Sequence, residues 1–384
     1  MTEYAAIVVG GGLHGLSAAL HLARRGASVL VLEAQRVAAH ASGYSAGGVR
    51  TLGRDMAEVP LALEALAMWH GIKDLVGDDC GFRAVGQVKV AETDAELATL
   101  SARAASMRAQ GWTHEEVVDA AGLRRLLPAI QPGAVGGMVC RDDGFASPLR
   151  TSLAFARAAQ AAGAVVIEGA RVASATRNGG LWHVSTADGT VHHATSLVNA
   201  AGAWGGRLAR HLGDPIPLGF NAFLMMLTDR QPPFVTPVVG AAGRPISFKQ
   251  TDEGHVMIGG GHKGVGDLGT GTLSIDIERL GYSARTALEL FPVLAGARIV
   301  HAWGGIEGVT PDDIPVIGPS SVQPGVVHAF GFCGHGFELS PLIGDIVAQL
   351  VLQGGTNRPI AAFAPDRFTA SAVPGPDALL QPAG

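Results

Sequence analysis

Gly10, Gly12 and Gly15 stand in G-x-G-x-x-G spacing within Gly10-Gly11-Gly12-Leu13-His14-Gly15. An apolar run, Tyr4 to Val9, precedes them, and a helical pattern opening near Leu13 follows. Gly10 permits a tight strand-to-helix turn, Gly12 admits a diphosphate to the backbone, and Gly15 lets the helix pack on the strand. The diphosphate then meets the free N–H groups of the first helical turn, at the positive end of the helix dipole. A second apolar run, Val29 to Leu32, ends at Glu33, whose carboxylate can accept hydrogen bonds from both hydroxyls of an adenosine ribose. It would repel a 2′-phosphate, so NADP is disfavoured. Each feature alone suits an ordinary βαβ unit. Together they predict a dinucleotide cradle.

Further small-residue segments point to FAD as that dinucleotide. Glu33-Ala34-Gln35-Arg36 is followed by a Gly/Ser-rich loop over 40–54 that opens with His40-Ala41-Ser42-Gly43-Tyr44-Ser45-Ala46-Gly47-Gly48-Val49-Arg50. Leu197-Val198-Asn199-Ala200-Ala201-Gly202-Ala203-Trp204 and Gly331-Phe332-Cys333-Gly334-His335-Gly336-Phe337 come later. With Trp303-Gly304-Gly305 and Thr310-Pro311-Asp312-Asp313-Ile314-Pro315-Val316-Ile317-Gly318, these segments resemble the D-amino acid oxidase-like family of FAD enzymes. In style they are nearest to the beta subunits of sarcosine-oxidase and opine-oxidase types, with glycine oxidase a further relative.

That resemblance implies a Rossmann-type α/β FAD-binding domain joined to a discontinuous α+β substrate domain. It implies that Leu13 and His14 open the phosphate-facing helix, and that Glu33, Ala34 and Arg36 hold the adenosine. Ser42, Gly43, Ser45, Ala46 and Gly47 would line the pyrophosphate and flavin, and Val172 would meet adenine through its backbone. Ala201, Gly202, Trp204 and Gly304 would lie along the cofactor. Gly334, His335, Gly336 and Phe337 would follow the flavin's pyrimidine edge, where helix N–H groups stabilise the negative charge of the reduced ring. No cysteine stands where monomeric sarcosine oxidases attach FAD, so noncovalent FAD is expected.

In this family hydride passes from a substrate C–H bond to flavin N5, and the imine product hydrolyses. A simple ammonium, with a pKa of roughly 10, must first lose a proton. Oxidation of an amine or amino acid is therefore the leading expectation. A 2-hydroxy acid dehydrogenase, which would need a histidine base such as His335 or His262, stays open, as does a non-catalytic FAD-bound component of a hetero-oligomer.

Lys263 in Gly259-Gly260-Gly261-His262-Lys263-Gly264 resembles the lysine that promotes oxygen reduction in sarcosine oxidases. Lys249 is the alternative, and a solvated turn lysine suits the same pattern. Arg50 could pair with a substrate carboxylate, with a flavin oxygen, or in a structural ion pair. Glu338 takes the place of a carboxylate-binding lysine of monomeric sarcosine oxidases. It would attract a cationic group, face away, or simply stabilise its helix N-terminus. His335 could donate to the flavin or fix its loop.

These residues need a framework. Continuous apolar runs at 5–9 and 28–32 read as parallel strands covered on both faces. The helical patterns cover 14–25, 55–77, 94–110, 151–162, 278–290 and 340–353. The spacing assigns 1–80, 146–215 and 301–384 to the FAD-binding domain, and 81–145 and 216–300 to the substrate domain. A Pro/Gly/Ala-rich tail from Ala370 is expected to fray. Among the 384 residues 47% are hydrophobic and 16% charged, which excludes a disordered chain. A net charge of -5 without basic runs gives no footing for nucleic acid. Three isolated cysteines fit a reducing cytoplasm, and fourteen histidines without ligand spacing predict no metal. The first apolar run is too short to span a membrane. The expected partners are a small amine or amino acid, oxygen or another acceptor, and further copies or other subunits.

Overall fold

The computed structural model describes residues 3–368, so the tail from Ala370 lies outside the described residues. Two large sheets organise the chain. The eight-stranded sheet runs Val316–Pro319, Val326–Phe330, Val191–Asn199, Glu3–Val9, Val29–Leu32 and Val165–Ile167. From Val326–Phe330 to Val165–Ile167 all neighbours are parallel. Ala6, Ile7 and Val8 are fully buried, as a strand covered on both faces requires. Leu181–Thr186 and Val172–Asn178 fold back antiparallel from Val191–Asn199. The second arm of this hairpin runs on without a break into the central parallel position of the sheet as Val191–Asn199.

One face is covered by helices Leu13–Arg24, Val59–His70, Pro148–Ala161 and Gly336–Gln353. The first and last helices pack closely because Gly344 has no side chain, and a Cβ there would overlap Ser17. His21 adds a 3.1 Å contact to the Pro341 carbonyl. The last helix begins at Gly336, four residues before the predicted start at Ser340, so Glu338 lies in its first turn.

The ten-stranded sheet is built around Gly219–Arg230, which pairs along its length with Ile299–Val309. Residues 301–309, assigned from sequence to the nucleotide-binding half, therefore run in the second sheet. Gln87–Ala91 joins this sheet beside Val238–Ala241 and Gly136–Cys140. Alternation along Gln87–Ala91 sends Val88 and Val90 into the core and leaves Gln87 and Lys89 on the opposite face. The predicted loop 40–54 contains a short helix, Ala41–Tyr44, and a two-residue strand, Gly48–Val49, paired with Gly144–Phe145.

Candidate active site

The turn after Glu3–Val9 opens a cavity of about 430 Å³ at the carboxyl ends of the parallel strands. Gly10 takes φ +111°, and a Cβ there would overlap the Ala200 carbonyl. A Cβ on Gly15 would overlap the Gly10 carbonyl, so that glycine serves helix–strand packing and does not line the cavity. Gly12 differs. Its φ of -74° suits any residue, and a Cβ would meet only Ser42 Oγ, at 3.0 Å. The cavity, not the protein's own packing, is what calls for glycine at this position. Glu33 accepts from Gly11 N and Gln35 N, both at 2.7 Å, and burial raises its pKa. Leu13 N donates to Ser42 Oγ at 2.9 Å, which ties the flavin-side loop to the helix start.

Along this cavity lie Gly10, Gly12, Leu13, His14, Glu33, Ala34, Ser42, Ser45, Val172, Ala201, Gly202, Trp204, Gly334, Gly336 and Phe337. The cavity at the start of helix Leu13–Arg24, with Gly12 bare of a side chain and Glu33 in its wall, fits FAD. His14 stacks on Phe332 at 3.6 Å, and burial pulls its pKa down to about 3, so it stands there neutral. The turn at 200–204 is fixed from below. Asn199 reaches both the Gly205 carbonyl and His328, and His328 contacts Asp214 at 2.9 Å. That buried network spans 114 residues of sequence between Asp214 and His328, and nothing in the local pattern announces it.

A second cavity of about 350 Å³ adjoins the first at Ser45, Glu307, Gly334 and Phe337. Ala46, Gly47, Arg50 and His335 line it, together with Arg54, Gln87, Lys89 and Arg244, which no sequence motif singles out. Burial pulls the Arg50 guanidinium down to about 10, with the Arg54 charge adding to the effect. Arg50 has no hydrogen-bond or ion-pair partner for its side chain among the described residues. Glu307 sits at the junction of the two cavities. Burial pushes its carboxyl up to about 7, although it accepts from Gly334 N at 2.7 Å.

Other expected residues fall elsewhere. Arg36 is exposed and donates to Tyr44 Oη at 2.6 Å, outside both cavities. Gly43 packs against the Ala38 carbonyl, and Gly304 sits in the ladder opposite Leu224. Lys263 is exposed at the start of strand Lys263–Asp267 and lines neither cavity. Lys249 also lines neither cavity, but it is 5% exposed, donates to the carbonyl of Ala46 in the wall of the second cavity at 2.6 Å and lies 4.2 Å from the Phe145 ring. Burial pulls it down to about 7. Its signal in the sequence was a lone lysine between buried Phe248 and Gln250.

Glu338 is fully buried and forms an ion pair with Arg54, whose Nε lies 2.9 Å from Oε2. It faces neither cavity. Its expected attraction for a cationic substrate group is thus spent on Arg54. His335 Nδ1 lies 3.3 Å from Glu58 Oε2, which fits loop fixing. Glu338→Lys is accordingly expected to unfold the protein, not to retune specificity, because it buries two facing cations. A loss of about 3–5 kcal/mol, read as a fall in thermal midpoint, is the expected scale. An unchanged midpoint would refute the buried pair.

Among the described residues no helix is long and apolar enough to cross a membrane. Comparison with known proteins gives one consistent answer. The chain is 26% identical to the beta subunit of sarcosine oxidase from Rhizobium meliloti over 95% of this chain and 88% of that one. It is 28% identical to one of the subunits of opine oxidase from Rhizobium meliloti, covering 96% and 99%. The crystal structure of glycine oxidase from Geobacillus kaustophilus superposes with a TM-score of 0.87 at 25% identity, covering 95% and 98%. The model of the DAO family of FAD-dependent oxidoreductases matches residues 5–350. With its cradle, its adjoining second cavity and this match, the chain belongs to the DAO family of FAD-dependent oxidoreductases.

Proposed function

We propose that the protein oxidises the C–N bond of an amine or amino acid that carries a carboxylate. The observation that supports this most is Arg50, an unpaired guanidinium in the cavity that adjoins the cofactor cradle. A guanidinium at such a place offers two parallel donors to a carboxylate and would orient the substrate's α-carbon toward the junction. The sarcosine, opine and glycine oxidases among the relatives act on compounds of that kind, by their names. Bound FAD would supply the two-electron acceptor, taking hydride from the α-carbon as the nitrogen lone pair forms the C=N bond.

The chain's own residues would do the rest. Gly12 and the helix start would carry the diphosphate, and Glu33 the ribose, with no covalent link to FAD. Glu307, with its pKa near 7, would receive the ammonium proton at the junction. The sarcosine oxidase and opine oxidase relatives are both named as subunits, which supports a chain that works alongside others.

Anaerobic mixing of the yellow holoprotein with amino acids, N-methyl amino acids and 2-hydroxy acids tests the reading. Bleaching by the amines is expected. Bleaching by hydroxy acids alone, or by nothing, overturns it. For the oxygen half-reaction, the buried Lys249 replaces Lys263 as our candidate cation. Lys249→Met is expected to slow reoxidation by oxygen about tenfold or more, and Lys263→Met to leave it unchanged, since a tenfold rate change needs only about 1.4 kcal/mol. Stopped-flow reoxidation of the reduced protein decides between the two lysines.

A further inference from the structure

Building on the reading of the second cavity as the substrate site, we propose that Lys89 forms a second anion subsite there and that the preferred substrate is an amine bearing two carboxylates. Four cationic side chains line the cavity, Arg50, Arg54, Lys89 and Arg244, against one carboxylate, Glu307. Two of the four are already neutralised. Arg54 is paired with Glu338, and Arg244 with Glu92 and Glu289. Arg103, which stands near Lys89, is held by Glu115. Arg50 and Lys89 are left, and neither side chain has a hydrogen-bond or ion-pair partner among the described residues.

Two cations without a hydrogen-bonded partner in one cavity repel each other: burial and then the Arg50 charge pull the Lys89 pKa down, and Glu338, Asp143 and Glu58 offset only part of the effect of burial on Arg50. That arrangement costs stability in the empty protein and is relieved by two negative charges. One carboxylate beside the reacting carbon would satisfy Arg50 and leave Lys89 alone. The wall around Lys89 is shaped for a ligand. Strand alternation sends Gln87 and Lys89 to the same face, and Gly240, directly opposite Lys89 in the neighbouring strand, contributes no side chain. The Gln87 side-chain oxygen is buried, at 7% exposure for the residue, and has no donor among the described residues. Its amide is therefore free to turn its NH2 group to the same carboxylate.

The test uses unreactive thioethers on the FAD-loaded protein. Thiodiacetate carries two carboxylates and methylthioacetate one, and binding is read by calorimetry and by perturbation of flavin absorbance. Wild-type protein is expected to bind thiodiacetate roughly 10- to 100-fold tighter than methylthioacetate, the range for one added charge-assisted contact. Lys89→Met should erase that preference and Lys89→Arg restore it, while Arg50→Met weakens both ligands. Equal affinities in the wild type, or a preference that survives Lys89→Met, overturns the second subsite and leaves the amine-oxidising reading intact. Failure of both thioethers to bind a yellow, folded protein overturns both. Anaerobic bleaching by iminodiacetate against glutamate then tells whether the second carboxylate sits on the nitrogen substituent or on the side chain. Neither bleaching faster than sarcosine and alanine do would also overturn the subsite.

Discussion

Replacing Gly12 with leucine is expected to give a folded protein that no longer holds FAD. Most tightly packed glycines of the nucleotide turn would, if substituted, disturb the chain itself. Gly10 sits at φ +111° against the Ala200 carbonyl, so a side chain there strains the turn whatever the cavity contains. Gly12 carries no such constraint. At φ -74° the backbone accepts leucine, and the first atom of the side chain meets only the Ser42 hydroxyl, at 3.0 Å, whose displacement would cost at most its one hydrogen bond from Leu13 N. The rest of the leucine projects into the cavity, where the diphosphate would lie against the helix start. Loss of that close approach, and of the N–H contacts it permits, should weaken FAD by at least roughly 100-fold, about 3 kcal/mol. Flavin absorbance of the purified variant, FAD titration by fluorescence quenching, and a circular-dichroism melt check the three parts. A yellow Gly12→Leu protein with ordinary FAD affinity would remove the diphosphate from this turn. A variant that unfolds would show that the glycine serves packing after all.

The cradle was legible because its logic is local. A turn, a helix start and an acidic strand end fall within Gly10 to Glu33, and each residue type has one physical job there. The second cavity was not, because its charges are balanced across distant segments. Arg54 lies in the loop that drew attention to Arg50, yet its partner Glu338 is 284 residues away. Nothing local distinguishes a buried, neutralised glutamate from one facing a substrate. The two lysines show a missed signal of another kind. Lys263, Val265 and Asp267 alternate with Gly264 and Gly266, which is the pattern of a strand whose side chains all face water. Lys249 stands between Phe248 and Gln250 in a strand buried on both sides, where an ammonium has few escapes. Lys89 could have been found by the same reading, as a charge alternating with Val88 and Val90 in a core strand. The misassigned stretch 301–309 follows from reading the Trp303-Gly304-Gly305 segment with the nucleotide motifs around it. Its pairing with Gly219–Arg230 is long-range and leaves no trace in either segment alone.

Glu307→Gln is expected to lower substrate-driven flavin reduction at neutral pH by roughly 10²- to 10⁴-fold, the usual scale for a positioned base. Glu307 is the one carboxylate shared by the two cavities, and burial holds its pKa near 7. As a base it must be ionised, so the wild-type reduction rate should rise as pH rises through about 7 and fall below it. Glutamine preserves the acceptor oxygen for Gly334 N, so the loop at 334–336 should stay in place while the proton-accepting function is lost. The variant's residual rate should then follow the fraction of substrate already present as free amine, climbing toward the ammonium pKa of roughly 10 with no inflection near 7. A merely structural glutamate would behave differently. Its loss would lower the rate by a similar factor at every pH and leave the shape of the profile alone. Anaerobic stopped-flow reduction from pH 6 to 10, on wild type and variant, separates the two. A Glu307→Gln protein that retains the inflection near 7 would exclude Glu307 as the proton acceptor and direct the search to Lys249, a further buried group poised at about 7, bonded to the flavin-side loop at Ala46.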